Sequence, residues 1–336
     1  MHKKVVRFDT FPWNLTQEEF NFYTPNNDGI VDDFQFFVNS NLRECDFWIV
    51  RGSIQPQFSL VKCPEENVIF LLDEAYEAAE FPAIFLNQFA KVIGPKKVKH
   101  ANYVKHHEMF PWLFLNKSFS FLSQNSNLVK SKEICIITSD ATWLKGHKER
   151  FTFVNKLIGH FKDRIDIYGR GFNSFDCKYE ILKNYKYSVC IENSNLPDYF
   201  TEKINECYLT DVFPIYFGCT NIQEYYHPDS FLQIDISDFK KSIEMIECAL
   251  ETNLWEKNLD LIRQMKYRYL AKYHLPIGLV TILKIGDSSN KKSWNVIFHR
   301  KFYSQLDLSI QMLKNGIIQV LSKVFVMGIS RMTKGK

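Results

Sequence analysis

The residues best placed to do chemistry lie between Tyr185 and Lys203. An apolar run, Tyr187–Ile191, leads into Glu192, Asn193 and Ser194, then a loop, then Thr201-Glu202-Lys203. A buried strand would deliver the first three to its carboxyl end. A helix opening near Thr201 would present free N–H groups and the positive end of its dipole, which suit an anion. Lys203 in the first turn opposes that dipole, and a bound phosphate would reverse the penalty. Glu202 beside it could grip a ribose diol, because a carboxylate accepts two hydroxyl protons. The plainer alternatives are an exposed Glu202–Lys203 pair, an Asn193 that caps the loop, and Glu192 and Ser194 that brace it.

Such groups need a sheet to hold them, and the flanking sequence alternates strand and helix patterns. Ile134–Thr138 and Ile165–Tyr168 read as strands, the second ending in Gly169-Arg170-Gly171, a tight turn. Between them His147–Phe161 sets Phe151, Val154, Leu157, Ile158 and Phe161 on one helical face. A short helix over Lys178–Lys186, the strand Tyr187–Ile191, a helix over Thr201–Leu209 and a strand over Phe213–Gly218 continue the series. This order implies right-handed crossovers and a mostly parallel sheet, whose ligands bind at the carboxyl ends of the strands. Upstream, Val5–Phe8, Cys45–Val50, Val68–Leu72 and Lys91–Ile93 are strand-length runs, and Pro82–Phe89 has helical spacing. Asn116–Ser131, rich in Ser, Asn and Lys, reads as a linker. Helices are expected over Phe239–Leu250 and Trp255–Tyr273.

With 336 residues, 46% of them hydrophobic, the chain has ample material for two domains. Its 30 Phe and 16 Tyr exclude a disordered chain and suit aromatic-lined clefts. None of the 8 cysteines forms a C-x-x-C pair, so buried thiols in a reducing compartment are expected rather than a disulfide framework. No run approaches the roughly 18 apolar residues of a spanning helix, and no signal-peptide pattern opens the chain. A cytoplasmic protein is expected. The net charge of +4 is uneven: Lys291, Lys292, Arg300, Lys301, Lys314, Lys323, Arg331, Lys334 and Lys336 face only Asp287 and Asp307 after residue 286. The body is therefore acidic, and a nucleic-acid partner is not expected.

The stretch Tyr185-Lys-Tyr-Ser-Val-Cys-Ile-Glu-Asn-Ser-Asn-Leu-Pro-Asp-Tyr-Phe-Thr-Glu-Lys203 strongly resembles the signature of the α1,3/4-fucosyltransferases, glycosyltransferase family ten. Phe213-Pro-Ile-Tyr-Phe-Gly218 and His227-Pro-Asp-Ser-Phe231 match the family's continuation. Upstream, Cys135-Ile-Ile-Thr-Ser139, Gly146-His-Lys-Glu-Arg150 and Asp166-Ile-Tyr-Gly-Arg170 look like the donor domain of its bacterial members. Val31-Asp-Asp-Phe34, Cys45-Asp-Phe-Trp48 and Glu74 resemble their acceptor domain more loosely. The resemblance covers about residues 30–240.

It implies an α/β, GT-B-type fold of two Rossmann-like domains facing a cleft. Residues 1–125 would bind acceptor and 130–285 GDP-fucose, with 286–336 a basic helical tail. It implies inverting α1,3-transfer of L-fucose from GDP-fucose to an N-acetylglucosamine-containing surface glycan. In that scheme Arg150, Lys203 and the Tyr199 hydroxyl contact the diphosphate, Glu202 holds the ribose, Asn193 lines the donor pocket and Glu74 is the general base. An exposed acidic cluster with Asp73, Glu77 and Glu80, a solvated Arg150 and a packing role for Tyr199 are the plain alternatives. No Asp-x-Asp pair occurs, and His100, His106 and His107 lack the companion ligands of a zinc site and are expected at the surface. No metal or other cofactor is expected. P-loop and nucleophile-elbow motifs are also absent.

The apolar positions 310, 313, 317, 320, 321, 324 and 327 have helical spacing among basic residues. A basic amphipathic helix can lie on an anionic membrane, or pack back on the fold. Two other functions fit the same residues. One is an inverting transferase of the same fold with another nucleotide sugar or acceptor. The other is a non-catalytic nucleotide-sugar-binding, membrane-associated assembly protein.

Overall fold

The computed structural model describes residues 3–55, 58–72, 81–125, 127–285 and 291–301. The first third forms β1 (Lys4–Phe11), α1 (Gln17–Phe22), β2 (Ile30–Val31), β3 (Phe34–Val38), β4 (Phe47–Gly52), β5 (Phe58–Cys63), β6 (Val68–Leu71), α2 (Ala83–Leu86), β7 (Lys91–Gly94) and β8 (Tyr103–Lys105). Seven of these strands make one sheet in the order β2-β3-β1-β4-β6-β7-β8. All neighbours run parallel except β2 and β3. β4 and β6 are buried throughout, which is why Phe47–Val50 and Val68–Leu71 read as continuous apolar runs rather than alternating ones.

The chain then forms α3 (Phe119–Gln124), β9 (Lys132–Ile137), α4 (Lys145–Phe161), β10 (Asp166–Tyr168), α5 (Lys178–Leu182), β11 (Tyr185–Ile191), α6 (Glu202–Leu209), β12 (Phe213–Phe217) and β13 (Leu232–Gln233). Here the sheet order is β10-β9-β11-β12-β13, parallel throughout. From β9 the chain goes to one side for β10 and then to the other for β11. That reversal makes the carboxyl ends of β9 and β11 the place where such sheets open a crevice. The helices α7 (Phe239–Glu251) and α8 (Leu254–Arg268) follow, and a single π-turn at Tyr269–Tyr273 ends the second.

The chain is α/β, as expected, but three expectations change. The supposed linker 116–131 contains α3, because the Ser118 hydroxyl accepts the N–H of Phe121 and Leu122 is buried. A serine that looked like linker composition is an N-cap. The helix expected over Lys178–Lys186 stops at Leu182, and β11 starts at Tyr185. The supposed helical tail begins with a strand. After α9 (Leu275–Ile285) comes β14 (Ser293–Phe298), which pairs antiparallel with β5 from Ser293 opposite Cys63 to Phe298 opposite Phe58. The chain therefore returns to its first half, where β14 and β5 form a separate two-stranded ribbon. Lys284 reaches Asp32 at 2.6 Å, and Gly278 lies so close to Met109 that a Cβ there would sit 2.9 Å from the sulfur. Residues 302–336, with the amphipathic segment 310–336, lie outside the described residues, as does Glu74.

One face of the first sheet (Val6, Phe8, Phe36, Ile49, Ile69) shares a core with the second sheet through Met109, Trp112, Tyr269 and Leu279. The opposite face packs Trp48, Val50, Phe70 and Val92 against Val61, Phe85 and Ile297. His107 belongs to the first interface, not to the surface. It is buried, with its ring stacked on Phe200 at 5.1 Å, because a neutral imidazole packs as a flat, largely apolar plate. Six of the cysteines are buried, and all 8 are free thiols. Among the described residues no helix is long and apolar enough to cross a membrane.

Candidate donor site

A cavity of about 250 Å³ opens at the carboxyl ends of β9, β10 and β11. Thr138 and Ser139 follow β9, Gly169 and Arg170 follow β10, and α4, α5 and α6 contribute Arg150, Lys178 and the Glu202–Lys203 pair. The loops meet backbone to backbone. A Cβ on Gly169, whose φ is +122°, would lie 1.8 Å from the Thr138 carbonyl oxygen. Gly146, in the first turn of α4, approaches the Asn193 carbonyl equally closely. Only glycine permits either contact.

That approach sets Arg150 one turn further along α4. The side chain is 6% exposed, so it is not a solvated helix residue. Nη1 donates to Asn193 Oδ1, and Nη2 donates to Ser139 Oγ at 3.2 Å. Nε is buried and has no partner among the described residues. Burial lowers the guanidinium's affinity for its proton, which the charges of Glu192 and Glu202 partly restore. A fixed, incompletely bonded guanidinium is a ready anion ligand.

Glu192 braces the loop. Its carboxylate accepts the Thr201 N–H at 2.8 Å, the Thr201 hydroxyl at 2.8 Å and the Lys203 ammonium at 3.0 Å. Its side chain is fully buried. The cation that opposes the α6 dipole is thus held by a buried anion, and Lys203 also donates to Thr201 Oγ1 at 2.9 Å. Burial opposes its charge, but Glu192 and Glu202 outweigh that and hold the ammonium above its ordinary value. Glu202 is desolvated too, yet Lys203 and Lys178 bring its carboxyl down to about 2. It is ionised at neutral pH and able to accept hydroxyl protons.

Arg150, Glu202 and Lys203 therefore line one cavity, while Asn193 does not line it and reaches it only through its hydrogen bond with Arg150. Tyr199 is buried in the neighbouring loop and does not line it. The loop is tied to the first sheet by Lys105, whose ammonium lies 2.7 Å from Asp198. Two groups escaped sequence reasoning. Lys178 bridges Glu202 (3.4 Å) and Glu206 (3.0 Å), and Glu206 also accepts the Leu113 N–H at 2.7 Å. The available signal was the i, i+4 spacing of Glu202 and Glu206, which puts both on one helix face.

Residues 128–260 match the family model described as glycosyltransferase family 10 (fucosyltransferase), C-terminal part. The α-(1,3)-fucosyltransferase FucT of Helicobacter pylori is 35% identical over 71 residues, 21% of this chain and 15% of its own. The α-(1,3)-fucosyltransferase B of Drosophila melanogaster is 27% identical over 179 residues, 47% of this chain and 39% of its own. The chain thus spans less than half the length of these relatives. A crystal structure of an α1,3-fucosyltransferase aligns over 81% of this chain and 92% of its own, with 17% identity and a TM-score of 0.49. The resemblance carried by Tyr185–Lys203 is borne out: over residues 128–260 the chain bears the C-terminal signature of the family 10 glycosyltransferases.

Proposed function

We propose that this chain is an inverting α1,3-fucosyltransferase that moves L-fucose from GDP-fucose to an N-acetylglucosamine-containing glycan. The observation that carries the reading is the buried Arg150–Asn193 and Glu192–Lys203–Glu202 arrangement, lying inside the segment that matches the fucosyltransferase family. Arg150 and Lys203 hold the diphosphate and stabilise the charge that develops on departing GDP, a preorganised electrostatic role. Glu202 accepts the ribose hydroxyls, Asn193 holds Arg150 beside the donor pocket, and the Tyr199 hydroxyl is assigned to the diphosphate from the neighbouring loop. Glu74 takes the proton of the acceptor hydroxyl as it attacks the anomeric carbon. Such a base contributes roughly 10²–10⁴-fold.

The reading takes the two sheets as a GT-B pair, acceptor on residues 1–125 and donor on 130–285, and assigns no metal to the reaction. The basic segment 310–336 is assigned to an anionic membrane surface on the cytoplasmic side, where a surface glycan would be assembled. That placement rests on charge pattern alone.

The test is GDP release from GDP-fucose in EDTA, with and without N-acetyllactosamine. Acceptor-dependent release that Glu74→Gln removes, while GDP binding persists, is the expected result. GDP binding with no release for any fucose acceptor would overturn fucose transfer and favour a binding protein.

A further inference from the structure

We infer that Lys178, anchored by Glu206, is the positioning residue that sets the Glu202 carboxylate for a nucleotide ribose. The inference rests on the donor-site reading above and goes one residue beyond it. Glu192, Lys203, Glu202, Lys178 and Glu206 form a single row of alternating charge, with successive contacts of 3.0, 3.5, 3.4 and 3.0 Å. Each lysine is held more tightly by the outer glutamate than by the central one. The outer glutamates are in turn fixed to backbone, Glu192 to Thr201 N–H and Glu206 to Leu113 N–H. Glu202 is the middle of a rigidly anchored row, and both cations make their shortest contact with the same oxygen, Oε1. Two ammoniums on one oxygen fix the orientation of the carboxylate between them.

A purely structural Lys178 is a poor account of this geometry. Burying an ammonium costs several kcal/mol unless it is paired, and apolar replacements of buried pairs are often as stable or more so. The row also carries three anions against two cations. Burial and the nearby Glu202 push the Glu206 carboxyl up to about 7, against the pull of Lys178, which fits an anchor that strains to stay charged. Lys178 lines the same cavity as Arg150 and Lys203. Its ammonium, however, is engaged by two carboxylates within 3.4 Å, which separates it from a cation aimed at phosphate.

The decisive comparison is between GDP and 2′,3′-dideoxy-GDP, titrated calorimetrically into the full chain, its Lys178→Ala and Lys178→Arg variants. Hydrogen bonds to a charged group contribute about 1.5–3 kcal/mol, so the native protein should prefer GDP by roughly 10–100-fold. Lys178→Ala should lose most of that preference by weakening GDP alone, leaving dideoxy-GDP within about twofold of native. Lys178→Arg should restore it. Equal weakening of both nucleotides in Lys178→Ala would make the residue a phosphate contact and overturn the inference, as would an undiminished preference. A native chain that binds neither nucleotide would instead sink the donor-site reading itself, and this inference with it. If Lys178→Ala fails to fold, the double variant Lys178→Met/Glu206→Gln removes one charge of each sign and carries the same comparison.

Discussion

Replacing Lys203 by Met should weaken the fold and nucleotide binding for two separable reasons. Glu192 has no exposed side-chain surface, and among the described residues its carboxylate accepts from the Thr201 N–H, the Thr201 hydroxyl and the Lys203 ammonium. Gly218 closes the space beside it, where a Cβ would lie 2.4 Å from the Glu192 Cγ. Water cannot readily replace the missing ammonium. Breaking a buried pair costs about 3–5 kcal/mol, chiefly because the surviving charge is stranded. Thr201 still donates twice and Lys203 is 22% exposed, so the low end, about 3 kcal/mol, is expected. Adding Glu192→Gln removes the stranded charge and should return about 2 kcal/mol of that loss. Neither variant regains the cation proposed for the diphosphate, so both should bind GDP at least about tenfold more weakly than the native chain. Urea unfolding midpoints read the first effect and calorimetric titration with GDP the second. A Lys203→Met chain within about 1 kcal/mol of native, or a double variant no more stable than the single, would refute the stranded-charge argument. Recovery of GDP binding in the double variant would refute the phosphate role.

Two further outcomes follow from the geometry. Gly146→Ala drives a Cβ into the Asn193 carbonyl, so α4 must shift and carry Arg150 from Asn193 and Ser139. GDP affinity should fall more than about tenfold, by the loss of a charge-assisted contact, while the far-ultraviolet spectrum stays native. Acid stability should depend on His274, which is fully buried and stacked on Trp112 at 4.7 Å. Burial lowers its proton affinity to about 3 from the ordinary 6.5. The unfolded chain takes up a proton below pH 6.5 and the folded chain does not, so stability is whole above that pH and declines as pH falls toward 3. The slope is about 1.4 kcal/mol per pH unit for this one group. His274→Phe should remove that part of the slope, and urea midpoints at pH 7.5, 5.5 and 4.5 would show whether it does.

The second sheet was legible because its strands β11 and β12 are buried on both faces and α4 carries one apolar face. Tyr187–Ile191, Phe213–Phe217 and the His147–Phe161 stripe all announce themselves by period. The cluster Arg150, Asn193, Glu202 and Lys203 was legible as a motif, since loop and helix N-terminus must bring such groups together. What stayed hidden depends on partners distant in sequence. β14 carries no signal of its own pairing, because Trp294 and Val296 find their mates more than 230 residues earlier, at Lys62 and Leu60. Thr16 and Glu19 form a capping box that marks α1, a signal in plain view that the reading of apolar runs passed over. His107 was misplaced because a histidine pair among charged neighbours looks solvated, and only its stack on Phe200 shows otherwise.

The antiparallel pairing of β14 with β5 makes the first half of the molecule discontinuous in sequence. A growing chain that has emerged through residue 125 has every strand of the first sheet, yet lacks the partner of β5. That ribbon is completed only after the whole second sheet has been made. Two polypeptide crossings also join the halves, one leaving after Lys105 and one returning through α9. A single tether would allow the halves to swing apart. Two tethers, with the core shared through Met109, Trp112, Tyr269 and Leu279, hold the halves against each other at three places.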